Sequence, residues 1–147
     1  MVEREPIESN FVRSEILRIL IESRNIQNFI FNNYFFDAID IANKKETKSR
    51  NSTILFWEII YFVAEGNFRG AKVSVSDIYL SLGVSKSTAI RCVAQLEDLG
   101  ILEKVRDSND RRRAVITLTG KFRNEFVDFL DKMLHQLKNV VDSNAVR

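Results

Sequence analysis

The chain has 147 residues, 45% of them hydrophobic and 29% charged, with one proline and five glycines. A chain of this length buries roughly 70% of its unfolded surface without a metal or a staple, and so little Pro and Gly excludes a collagen-like or linker-like polymer. One cysteine and one histidine exclude an internal disulfide, the usual zinc clusters and a thiol–imidazole catalytic pair, while a net charge of +2 and a pI near 8.8 are too mild to announce a nucleic-acid binder by themselves.

In chain order, residues 7–42 are apolar and strongly aromatic, with Phe29, Phe31, Tyr34, Phe35 and Phe36 crowded together. Val12, Ile16, Ile19, Leu20 and Ser23 keep helical spacing, which predicts one long helix, or a broken one interrupted near Asn32–Asn33. Arg18 and Glu22 interrupt the stretch, so it does not read as a signal peptide. Asn43–Asn51 reads as a solvated, lysine-rich connector. Ser52 is the expected N-cap of a helix stopping near Gly66. Between them the apolar residues fall on every side, as in a helix buried all round. The longest apolar run, Ile59–Ala64, has six residues, far short of a membrane span. The expected setting is the cytoplasm.

Gly70–Val73 is a candidate for a minor edge strand. Ser74-Val75-Ser76-Asp77 then has the form of a capping box. It opens a helix with Val75, Ile78 and Leu82 inward, ending at Gly83. Ser85 caps another helix almost at once, with Ala89, Cys92, Val93 and Leu96 on one apolar stripe that ends at Gly100. Two short helices joined by a tight turn containing glycine form a helix-turn-helix. Ile101–Arg106 and Arg113–Leu118 alternate as strands around Asp107-Ser108-Asn109-Asp110, a run of turn formers. The pair is a hairpin, or wing. Thr119 caps a last helix in which Phe126, Leu130, Met133, Leu137 and Val140 recur at alternating spacings of four and three, the pattern of a helix–helix seam.

The second motif helix leaves a strip unburied: Lys86, Ser87, Ile90, Arg91, Ala94 and Gln95. Lys and Arg reach guanine acceptors, Gln pairs with adenine, and Ile meets a thymine methyl. Amides at the helix start, near Ser85 and Thr88, suit phosphate. An ordinary solvated face has the same polarity, so the turn before it and the wing behind it decide for DNA. At the wing tip, Arg111, Arg112 and Arg113 follow Asp110. Consecutive arginines repel unless an anion is near, and a narrow minor groove offers one. Asp110 is the expected orienter of a guanidinium through a bidentate pair. The bland alternative is a charged hairpin that keeps a strand edge from aggregating. Cys92, on the buried stripe, reads as a small core residue, and His135 as surface or interface packing.

The run Asp110-Arg111-Arg112-Arg113-Ala114-Val115-Ile116-Thr117-Leu118-Thr119 resembles the wing of the MarR family of bacterial winged-helix regulators. Val84-Ser85-Lys86-Ser87-Thr88 and Leu96-Glu97-Asp98-Leu99-Gly100-Ile101-Leu102 are similar to that family's recognition helix and its exit. The resemblance covers about residues 52–142. It implies a homodimer, interlocked by N- and C-terminal helices, whose winged domains grip a near-palindromic operator. Family members usually repress, and many release DNA on binding a small, often phenolic, molecule, so a small aromatic effector is among the implied partners. Tyr79 and Phe122 depart from the family pattern, which usually has a small residue at the first position and often glycine at the second. Family cysteines that sense peroxide lie in the N-terminal helix, so Cys92 inherits no such role.

The expected architecture is mainly α with a small β-hairpin wing. Residues 1–50 form an N-terminal dimerisation region, 51–119 the winged helix-turn-helix, and 120–147 a C-terminal dimerisation helix with Phe126, Leu130, Met133, Leu137 and Val140 at the interface. The expected function is a sequence-specific regulator of transcription that binds double-stranded DNA, without cofactor, metal or catalytic activity. Ser85, Lys86, Ser87, Thr88, Ile90, Arg91, Gln95, Arg111, Arg112 and Arg113 would contact DNA. The alternative is a winged-helix adaptor or antirepressor that binds protein instead. Clustered acids at Glu97, Asp98, Asp107 and Asp110 favour that alternative.

Overall fold

The computed structural model describes residues 6–35 and 49–145, with side chains over 10–34 and 54–139 and at Asp142. Most of the polar connector, the side chains of Phe35 and Ser52, all of Phe36 and the side chain of Val140 lie outside the described residues. The elements are helix α1 (Pro6–Ile30), a π-helical turn (Phe31–Phe35), helices α2 (Ser49–Phe68), α3 (Val75–Leu82) and α4 (Lys86–Asp98), strands β1 (Leu102–Arg106) and β2 (Ala114–Leu118), and helix α5 (Gly120–Ala145). The predominance of helix with one two-stranded hairpin is the expected class.

The chain divides into two compact units, Tyr34–Arg123, and Met1–Asn33 with Asn124–Arg147. In the second of these, the break expected near Asn32–Asn33 is the π turn, where Asn33 Nδ2 donates to the Phe29 carbonyl at 2.7 Å. A wider turn at this point is one of the few ways to shift the face of a continuous helix. Helix α1 leaves Phe11, Ile16, Leu17, Leu20, Ile21 and Phe29 exposed. Along α5, Phe126 is buried, Leu130 and Met133 are half-buried, and Leu134 and Leu137 are exposed.

In the unit Tyr34–Arg123, α2 buries Phe56, Ile59, Ile60, Val63 and Ala64 against α3, α4 and β2. It is not buried all round: Ile54 is 60% exposed, and Tyr61 and Phe68 also face outward. The partners of this unit approach from one side only, which composition could not reveal. Nor does Gly66 end the helix, which runs on to Phe68; the chain turns at Gly70, where φ is 76°. Gly66 serves packing instead, since a Cβ there would collide with Val73 Cγ2.

The capping box at Ser74 and Asp77 is formed in both directions, and Gly83 closes α3 in the left-handed conformation. Ser85 Oγ accepts the Thr88 amide at the start of α4. The strands pair antiparallel in register from Leu102 opposite Leu118 to Arg106 opposite Ala114. Val73 supplies a single bridge to Ile116 rather than a full strand. Thr119 Oγ1 accepts the Phe122 amide at 3.3 Å and donates to the Gly100 carbonyl at 2.6 Å. One hydroxyl thereby caps α5 and ties its start to the turn after α4. Phe122 is fully buried and meets the Tyr34 ring edge-on at 5.7 Å. This departure from the family pattern therefore fills the core with an aromatic side chain.

Candidate nucleic-acid interface

Helix α4 is sharply two-sided. Ala89, Cys92, Val93 and Leu96 are each 0% exposed, whereas Lys86, Ser87, Ile90, Arg91, Ala94 and Gln95 are all exposed. The buried stripe fixes the helix's rotation about its axis, so the outward set is presented as a block. Burial pushes the Cys92 thiol pKa up, opposed by the neighbouring Arg91 charge.

At the amino end, Ser85 Oγ donates to Thr88 Oγ1 at 2.7 Å. The first amides of a helix have no intrahelical carbonyl, and those of Lys86 and Ser87 stand at the positive end of the α4 dipole. At the far end of α4, Lys104 pairs with Glu97 at 3.3 Å.

The wing is held at its root in three places along residues 72–77. Lys72 Nζ donates to Asp107 Oδ1 at 2.7 Å, the Ile116 amide donates to the Val73 carbonyl at 2.7 Å, and Arg113 Nη2 lies 3.6 Å from Asp77 Oδ2. Asp107 is the buried charged residue of the described chain. The hydrogen bond from Lys72 and then that from the Asn109 amide hold its carboxyl below the usual range. Asp77 is likewise depressed, first by the Ser74 amide and hydroxyl and last by Arg113.

The three arginines are not equivalent. Arg113 is paired. Arg111 and Arg112 are exposed, and neither guanidinium has a carboxylate within ion-pair distance among the described residues. Asp110 Oδ1 accepts the backbone amide of Arg112 at 3.0 Å, and its carbonyl accepts the Arg113 amide. It shapes the turn through the backbone; among the described residues it holds no guanidinium in the bidentate pair expected from the sequence. Arg106 Nη1 closes the loop onto the Arg111 carbonyl at 2.8 Å.

Sequence reasoning passed over Lys72, Asp77 and Asp107 as parts of this site. Asp77 reads locally as a cap and Asp107 as a turn former, and no local pattern links Lys72 to a partner 35 residues away. Among the described residues, no three His, Cys, Asp or Glu side chains are placed to hold a metal ion. None of the described helices is long and apolar enough to cross a membrane.

A helix-turn-helix backed by a two-stranded wing defines a winged helix-turn-helix protein. The model of the MarR family matches residues 57–113, and over that stretch the chain is similar to MarR-family proteins. The matched stretch is narrower than the resemblance in the sequence and stops just before β2. Among solved structures, S. aureus MepR bound to ethidium bromide is 14% identical, with a TM-score of 0.51 over 80% of this chain and 81% of that one. That likeness shows the fold alone. The transcriptional regulator BldR from Sulfolobus solfataricus is 25% identical, with a TM-score of 0.44 over 84% of each chain. A mutant of Lactococcus lactis ZitR is 18% identical, with a TM-score of 0.42, and the chain spans 60% of its length. No match was found among curated proteins.

Proposed function

We propose that the protein is a cytoplasmic, sequence-specific regulator that binds double-stranded DNA as a homodimer, acting as a repressor on a near-palindromic operator. The observation that carries this reading is the two-sidedness of α4. Four fully buried residues aim Lys86, Ser87, Ile90, Arg91 and Gln95 outward from a scaffold that also carries a wing with two uncommitted arginines. In this reading those five side chains meet base edges, Ser85 and Thr88 hold phosphate, and Arg111 and Arg112 enter the minor groove. Two of the four acids that favoured a protein-binding adaptor are paired with lysines: Glu97 with Lys104 and Asp107 with Lys72. They therefore oppose a duplex less than the sequence implies.

Homodimerisation is supported by the apolar side chains left open on α1 and α5, Leu20 and Leu137 among them. Such a surface marks an interaction site more often than a solvated one. A small aromatic effector is proposed to release the DNA; the similar MepR of S. aureus was solved bound to ethidium bromide. No catalytic step is assigned. Selection of bound fragments from a random double-stranded pool tests the core of the proposal. The expected product is a two-fold symmetric site with half-sites about 10 base pairs apart or a multiple of that. Recovery of fragments with no common half-site would reject sequence-specific binding.

A further inference from the structure

We infer that Arg113 is a positioning residue, a strut that sets the wing against α3 through Asp77, with Lys72–Asp107 as a companion strut, so that only Arg111 and Arg112 are offered to the duplex. The inference rests on the DNA-binding reading above and divides its arginines differently from the expectation that all three touch DNA.

An isolated two-stranded hairpin is marginal in water, so its attachments decide where its tip points. Here three of them fall on one short segment, residues 72–77. Asp77 Oδ2 is already fixed by the Ser74 amide and hydroxyl, both at 2.9 Å, and offers Arg113 an immobile partner. The backbone of Arg113 is fixed as well, since its carbonyl accepts the Asp107 amide and its amide donates to the Asp110 carbonyl, both at 3.0 Å. Arg113 therefore sits at the root of the loop, held at both backbone and side chain, while Arg111 and Arg112 occupy the free end. The two struts meet in Asp107, whose amide closes the wing and whose buried carboxylate takes Lys72. Moving Arg113 to a phosphate would expose the charge of Asp77 beside the same phosphate. Like-sign repulsion opposes that exchange.

The test uses the full chain and three variants, Arg113→Gln, Asp77→Asn and their combination. Asparagine keeps an oxygen for the Ser74 amide, so the cap survives while the charge is lost. In the free protein, Arg113→Gln should raise hydrogen exchange at the Asp107 and Arg113 amides by about tenfold through local opening. On a fragment selected from the random pool, each single variant should weaken binding about three- to tenfold at an unchanged salt slope. The double variant should be no weaker than either, the sign of one shared interaction. Arg112→Gln is the contrast, lowering the salt slope by about one and leaving exchange alone. Unchanged exchange in Arg113→Gln would overturn the strut. So would additive losses with a salt slope lower by about one, which would place Arg113 on a phosphate. If the wild-type chain binds no DNA, the functional reading fails, and the exchange measurement still decides the strut.

Discussion

The side-chain amide of Asn67 completes the outer edge of the wing: its Oδ1 accepts the Leu118 amide at 3.0 Å and its Nδ2 donates to the Ile116 carbonyl at 3.3 Å. A residue near the end of α2 thus stands in for a third strand beside β2, with Val73 bridging Ile116 alongside. Helix and wing become one piece through a group that in the sequence looks like a helix-end asparagine.

Asn67→Ala should therefore destabilise the protein by about 1–3 kcal/mol, the usual cost of leaving a buried backbone donor unsatisfied. Asn67→Asp retains the acceptor for Leu118 and should lose less. Urea midpoints of the two variants check the order, and equal losses would assign the effect to packing.

Arg91 stands on the exposed strip of α4 next to the buried stripe. Replacing it by alanine should cost about 1–3 kcal/mol in DNA binding and relax preference at one base position in each half-site. A loss uniform across all sequences would move Arg91 from a base to the backbone of the duplex.

Arg112 pairs with no carboxylate among the described residues, so Arg112→Ala should leave the unfolding midpoint unchanged while weakening DNA binding. The slope of log affinity against log salt should fall in magnitude by about one. Unchanged affinity would remove the wing tip from the interface.

Lys72 and the Asn109 amide hold the Asp107 pKa low in the folded chain. A carboxyl whose folded pKa is depressed contributes stability that is complete above its unfolded pKa and is lost as pH falls through the folded value. Asp107→Asn should therefore be less stable than wild type near neutrality, and the gap should close as pH drops below the ordinary aspartate range. Unfolding midpoints at pH 7 and pH 3 measure this. A gap independent of pH would mean that the lost contribution is not one of charge.

Leu20 on α1 is 59% exposed and Leu137 on α5 is 50% exposed in the isolated chain. Leu20→Glu or Leu137→Glu should therefore leave the helix content intact and shift sedimentation from dimer toward monomer, because a charge in an apolar contact is costly unless paired. A dimer undisturbed by both would place the seam elsewhere.

The helix-turn-helix was legible because its determinants are local. A 3.6-residue period put Ala89, Cys92, Val93 and Leu96 on one side, Ser74 and Ser85 lie within a turn of the amides they cap, and Gly83 needs only its own φ. The antiparallel wing followed from alternation around a cluster of turn formers. The open faces of α1 and α2 were harder to foresee, since an apolar side chain reads the same whether or not a neighbour arrives to cover it.

What the residue order determined alone was every feature whose cause lies within about one helical turn or one hairpin: the caps, the buried stripe, the outward strip. Tertiary structure decided the division of labour among chemically identical side chains. It made Arg113 a partner of Asp77, left Arg111 and Arg112 open, and gave Gly66 to Val73 and Asn67 to Leu118. The physical reason is that charge pairing, close approach and the filling of a strand edge depend on distance in space, and these partners lie far apart along the chain.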